Sequence, residues 1–180
     1  MNFSMYAMAV ETFVPMLRTL SGLLDQGGQY ARAKGFDPAV LINARLAPDM
    51  YPLVKQVQIA CDQAHSAAAQ LLGEEAPAFE YRERTLDELK VRIARTIEKL
   101  QAADAAAYRG AEDRAIQIPL PNGEAAFEMT GFQYVRDWAL PHFYFHVVTA
   151  YDILRHNGVE IGKRDYLSHA GRYIRQRPAR

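Results

Sequence analysis

Residues 132–157 read FQYVRDWALPHFYFHVVTAYDILRHN. Counted in threes and fours, the stretch yields one seam: Phe132, Val135, Ala139, His142, His146, Thr149 and Ile153. That is the repeat of a helix packed into a bundle. His142 and His146 stand one turn apart on the seam, so both rings are expected to leave the same face and point inward. Such a pair is either half of a metal site or two core histidines that have found hydrogen-bond partners.

Working outward, three more stretches keep the same period. Phe3, Tyr6, Val10, Phe13, Leu17, Leu20 and Leu24 predict a first helix over about 3–33, and a second stripe beside them (Met5, Met8, Thr12, Met16, Thr19, Leu23) makes it apolar on two faces. Two apolar faces mean two neighbours. Asp37-Pro38 opens a short helix to Asn43. A second long helix follows Pro48-Asp49, over about 49–72, with the seam Met50, Val54, Val57, Cys61, Ala64, Ala68 and Leu71. EEAPAFEYRER then reads as a solvated connector. Thr85 and Glu88 form a capping box for a third helix over about 86–107. Alternation at Ile116, Ile118 and Leu120, a Pro121-Asn122-Gly123 turn, and alternation at Ala125, Phe127 and Met129 predict a hairpin over about 114–129. Thr130 caps the fourth helix, over about 131–156, which Pro141 should kink and Gly158 stop. The segment 159–180, with Arg172, Arg175, Arg177 and Arg180, reads as an extended or frayed tail. The whole is one all-α domain, a four-helix bundle with a small β-hairpin between helices three and four.

Composition narrows the function classes. The 180 residues are 49% hydrophobic and 23% charged, with a formal net charge of zero. Without a basic excess, a broad nucleic-acid face is not expected. A single cysteine, Cys61, rules out an intrachain disulfide and suits a reducing compartment. MNFSMYAMAVETFVPM lacks a basic leader and carries Glu11, so it does not read as a secretory signal. No uninterrupted apolar run approaches the roughly 20 residues of a membrane span. The expectation is a cytoplasmic protein with neither nucleic acid nor membrane as partner.

RLAPDMYPLVKQVQIACD (45–62) and LPHFYFHVVTAYDILRHNGVEIGKRDYL (140–167) resemble an uncharacterised bacterial family within the DinB/YfiT-like superfamily. The resemblance spans nearly the whole chain and implies a DinB-type bundle. Many members of that superfamily hold nickel or zinc with one histidine from helix two and an HxxxH pair from helix four, and some use it for thiol-dependent transfer or isomerisation. Carried over, His142 and His146 match the helix-four pair, and His65 is the histidine available on helix two. The family often has Asn where this chain has His142. The resemblance also implies a homodimer, which the second apolar stripe of helix one would serve.

Three imidazoles and a water would make an open site of the catalytic zinc type. Asp62 would add a fourth ligand or orient a histidine. Tyr6, Gln58, Tyr144 and Thr149 are candidates to line the adjoining pocket. Without a metal, the histidines would bond Tyr151, Asp152 or Tyr6 in a polar patch of the core. Cys61 and His65, also one turn apart, invite a thiolate dyad, but a cysteine on a core seam is more often a small buried hydrophobe. Two classes remain: a non-catalytic bundle that binds a small ligand or a second subunit, and a metal-dependent enzyme with its site between helices two and four.

Overall fold

The computed structural model describes residues 4–75, 77–120 and 125–175. Its long elements are α1 (Met5–Lys34), α3 (Leu53–Leu72), α4 (Leu86–Ala102) and a last helix built of α5 (Gly131–Gln133), a π-helical turn (Tyr134–Ala139) and α6 (Leu140–His156). Short α2 (Ala39–Asn43) links the first two, and β1 (Ala115–Pro119) with β2 (Ala126–Thr130) forms the expected hairpin. The anticipated turn at 121–123 lies outside the described residues.

Each start has a local cause. Ser4 caps α1. Thr85 accepts from the Glu88 amide while the Glu88 carboxylate accepts from the Thr85 amide, the capping box read from the sequence. The second long helix begins at Leu53 rather than near Asp49, because Pro52 is still extended and serves as its N-cap. The third ends at Ala102, five residues early, and continues only as a 3-10 turn over Ala105–Tyr108.

Helices α3 and α6 run antiparallel in close contact. Gln56 meets His146 at one end of the pair. Near the other, a Cβ on Gly131 would lie 3.2 Å from the Leu71 side chain and only 1.8 Å from the Ala111 carbonyl oxygen, an approach that requires glycine. The kink expected at Pro141 takes the form of the π turn just ahead of it. Proline offers no N–H to the Asp137 carbonyl and its ring would press on that oxygen. The turn therefore widens, and the Leu140 amide reaches the Val135 carbonyl. Beyond it the buried face is Ala139, Phe143, His146, Val147, Ala150, Ile153 and Leu154. His142 is half-buried at its edge, not on the inward line with His146.

The expected frayed tail is corrected over residues 159–175, where α7 (Lys163–Tyr166) and a 3-10 turn (Ser168–Tyr173) pack on α1; Arg177 and Arg180 lie outside the described residues. Thr19 and Ser168 share a hydroxyl hydrogen bond of 3.1 Å, and Gln26 donates to Asp165 at 3.3 Å. The second stripe of α1 is thus covered by its own chain, with Met5, Met16 and Leu23 buried and Met8 packed against the core. By length and composition α1 could also cross a membrane, with a mean hydropathy of 1.2 over its most apolar window. Here its apolar faces are spent on the bundle.

Candidate functional site

The residues singled out as a metal set divide between two places on α3. At the α3–α6 contact, His146 is 5% exposed and its Nδ1 lies 2.7 Å from Gln56 Oε1. The Gln56 amide nitrogen donates to the Tyr51 carbonyl at 3.0 Å, so the amide oxygen is the atom left to accept from the ring. His146 therefore carries its proton on Nδ1 and keeps a lone pair on Nε2. Burial, and then the neighbouring His142, push its pKa down to about 4, and burial also lowers that of His142. Both rings are neutral at neutral pH. Their centroids are 5.4 Å apart, inside a continuous run of rings from Phe127 through Trp138, His142 and His146 to Phe145.

The partner of His146 is thus Gln56, and not Tyr151, Asp152 or Tyr6. The sequence signal for this bond is an amide, Gln56, beside Val57 of the α3 seam.

His65 lies nine residues beyond Gln56, roughly 13–14 Å further along the helix axis. It stands edge-on to Phe79 at 5.9 Å, and burial first, then Lys99, lower its pKa. Asp62 is committed to other partners. It is ion-paired with Arg92 and accepts from the Tyr81 hydroxyl at 2.8 Å. Arg92 also pairs with Glu83 at 2.9 Å, and Gln58 donates to Glu83 at 2.8 Å. Among the described residues no three or more His, Cys, Asp or Glu side chains are grouped to hold a metal ion. Two imidazoles with no third protein ligand among the described residues do not make the three-ligand site that zinc or nickel would need. The donor set does not fit the metal that the resemblance implies.

The expected pocket lining separates as well. Tyr6 stacks edge-on to Tyr108, Gln58 belongs to the Arg92 cluster, Tyr144 lies beside Phe143, and Thr149 bonds back to the Phe145 carbonyl. Cys61 is buried beside Thr96, its thiol pushed up to about 12 by burial, which leaves no thiolate for a dyad with His65.

What the chain does build is a cavity of about 700 Å³ between α3, α4 and the connector, lined by Asp62, His65, Phe79, Glu83, Arg92, Arg95, Thr96 and Lys99 among others. Its floor is the Asp62–Arg92–Glu83 cluster, and the Tyr81 ring, whose hydroxyl donates to Asp62, has the Lys55 ammonium 3.2 Å from its centre. Burial raises the Glu83 pKa, but hydrogen bonds from Arg92, its own backbone and Gln58 outweigh it and hold the carboxyl low. Those bonds and the Asp62 contact pair the floor charges, while the buried Arg92 Nε has no hydrogen-bond partner among the described residues. Arg95 and Lys99, one turn apart on the wall, have no ion-pair partner among the described residues. The connector, read from its composition as solvated, is what makes this site.

Comparison with known proteins agrees with the architecture. No curated protein matches the chain. The crystal structure of a DinB family member protein from Shewanella denitrificans is similar to it over 97% of this chain and 94% of that one, with 40% identity and a TM-score of 0.82. A family model described as a domain of unknown function (DUF1993) matches residues 5–167. This DinB-like bundle, hairpin included, belongs to the DUF1993 family.

Proposed function

We propose that the protein is a soluble, cytoplasmic, non-catalytic module that binds a small molecule in the groove between α3, α4 and the connector. The observation that carries this reading is the groove itself, whose 700 Å³ falls in the usual range of ligand sites. Its chemistry indicates the class of ligand. Phe79 and the His65 ring, set edge-on to each other, offer an aromatic corner, while Arg95 and Lys99 offer two cations with no ion-pair partner among the described residues. A small anion with an aromatic or planar body matches both. The histidine pair, on this reading, is a polar strut of the core.

The test is a fragment screen of small aromatic carboxylates and phosphates, followed by amide chemical shifts of the labelled protein. Shifts clustered at His65, Phe79, Arg95 and Lys99, abolished by Arg95→Glu/Lys99→Glu, are expected. Ligands that shift only residues elsewhere would overturn the groove. Stoichiometric uptake of nickel or zinc by untagged protein, lost in His146→Gln, would instead restore the metal-dependent reading.

A further inference from the structure

We infer, resting on the groove reading above, that the groove selects a doubly charged oxyanion of the phosphate or sulfate type, and that His65 takes up a proton from solvent as this anion seats. His146 is held through Nδ1 by Gln56, whereas among the described residues no hydrogen bond engages either ring nitrogen of His65. The His65 ring is half-buried, lines the cavity and stands edge-on to Phe79. Arg95 and Lys99 line the same cavity from α4, one turn apart. Of the charges around His65, Lys99 acts on it most. An imidazole with both nitrogens uncommitted thus shares a cavity with two cations that have no ion-pair partner among the described residues.

The surrounding charges decide what this ring does. On α4 they are Arg92, Arg95 and Lys99; on α3, Asp62, with Glu74 just past its end; on the connector, Glu80, Arg82 and Glu83. Glu80 and Arg82 pair with each other at 3.1 Å. The floor sets two carboxylates, Asp62 and Glu83, against the one guanidinium of Arg92, so it is left one charge negative. Arg95 and Lys99 then make this end of the groove one charge positive while His65 is neutral. Asp87 and Glu88 belong to the first turn of α4, about 16–18 Å from Lys99 along the helix. A monoanion therefore brings this end to neutrality with no change at His65. A dianion leaves it one charge negative, and histidine is the side chain able to correct that near neutral pH. In the free protein burial first, and then Lys99 and Arg92, hold the His65 pKa down against Asp62 and Glu74. An anion seated at Lys99 offsets the cationic share of that depression, and exposed Glu74 pulls the same way. The protonated ring then donates a charge-assisted hydrogen bond to the anion.

The experiment follows the His65 ring of the full chain by NMR from about pH 5 to about pH 8. It is run without added anion, with sulfate and with methanesulfonate, at constant ionic strength. Both probes keep their charge over that range, so the titration seen belongs to the protein. With sulfate, His65 should hold its proton about tenfold more tightly, and by linkage the sulfate dissociation constant should fall about tenfold from the alkaline to the acid end. Methanesulfonate should leave both quantities nearly unchanged. His65→Gln should bind sulfate with the same dissociation constant at both ends of the range. Sulfate that shifts the Arg95 and Lys99 amides but leaves the His65 titration fixed overturns the proposal and leaves the groove reading standing. Sulfate that shifts neither amide overturns both. Equal effects of the two anions remove the selection for double charge, and a pH dependence retained in His65→Gln places the proton elsewhere; either result also overturns the proposal.

Discussion

Two polar places lie on one helix. Where α3 meets α6, His146 and Gln56 form a neutral, closed pair sunk in the core. Where α3 meets α4, Asp62, Arg92, Glu83 and Tyr81 form a charged cluster at the floor of an open groove. The first carries the residues that look like chemistry in a sequence; the second has the space and the uncommitted charge that a ligand needs. Spacing on a helix reports which side chains share a face. It does not report which neighbour already holds them.

The contrast can be broken most sharply at Arg92. Its side chain is 13% exposed and serves two carboxylates. Arg92→Ala should cost about 3–5 kcal/mol, because it leaves both acids without their counter-charge. Urea denaturation checks this, and a loss below ~1 kcal/mol would mean that the cluster is solvated after all. Next comes His146. His146→Ala strands the Gln56 oxygen and should cost roughly 1–3 kcal/mol, with the nickel and zinc content of untagged protein unchanged and below about a tenth of an equivalent.

The pH dependence sharpens the same point. His146 sits near 4 in the fold against an ordinary 6.5, so on acidification the unfolded chain takes up the proton first. Its contribution is complete above pH 6.5 and drains away as the pH falls toward 4, by roughly 3 kcal/mol. His146→Gln should flatten that slope; a slope equally steep in the variant would place its origin in other groups. The smallest effect belongs to the groove wall. Lys99→Ala should move stability by no more than about 0.5 kcal/mol while weakening anion binding severalfold, read by calorimetry with whichever fragment binds.

Much of the architecture was legible in advance, for physical reasons. The capping box at Thr85, the alternation around Ile116 and the helical period that announces the long helices are local signals, and each leads to the element it predicts. The misreadings have a common origin in long-range contacts. Phe143, not His142, lies on the buried line beyond the π turn: after Ala139 the face continues at a step of four where the count had taken three. Gln56 looked inert until a histidine ninety positions away supplied its role. Tyr81 and Glu83, in a segment with every mark of a solvated loop, are held by Asp62, Arg92 and Gln58. Composition describes a segment's average preference, and one well-placed arginine can override it.

The strap of α7 and the following turn over α1 has a consequence for how the chain is made. Thr19 waits for Ser168, its hydrogen-bond partner 149 positions later. At about 5–20 residues per second, a ribosome needs roughly 7–30 seconds to cover that distance. Throughout, Thr19 and Gln26 of α1 lack their native partners Ser168 and Asp165. Contacts this far apart in sequence also come late in folding. Chains stalled before Lys163 should therefore be cut within α1 by protease far faster than released ones, whatever the state of the other helices.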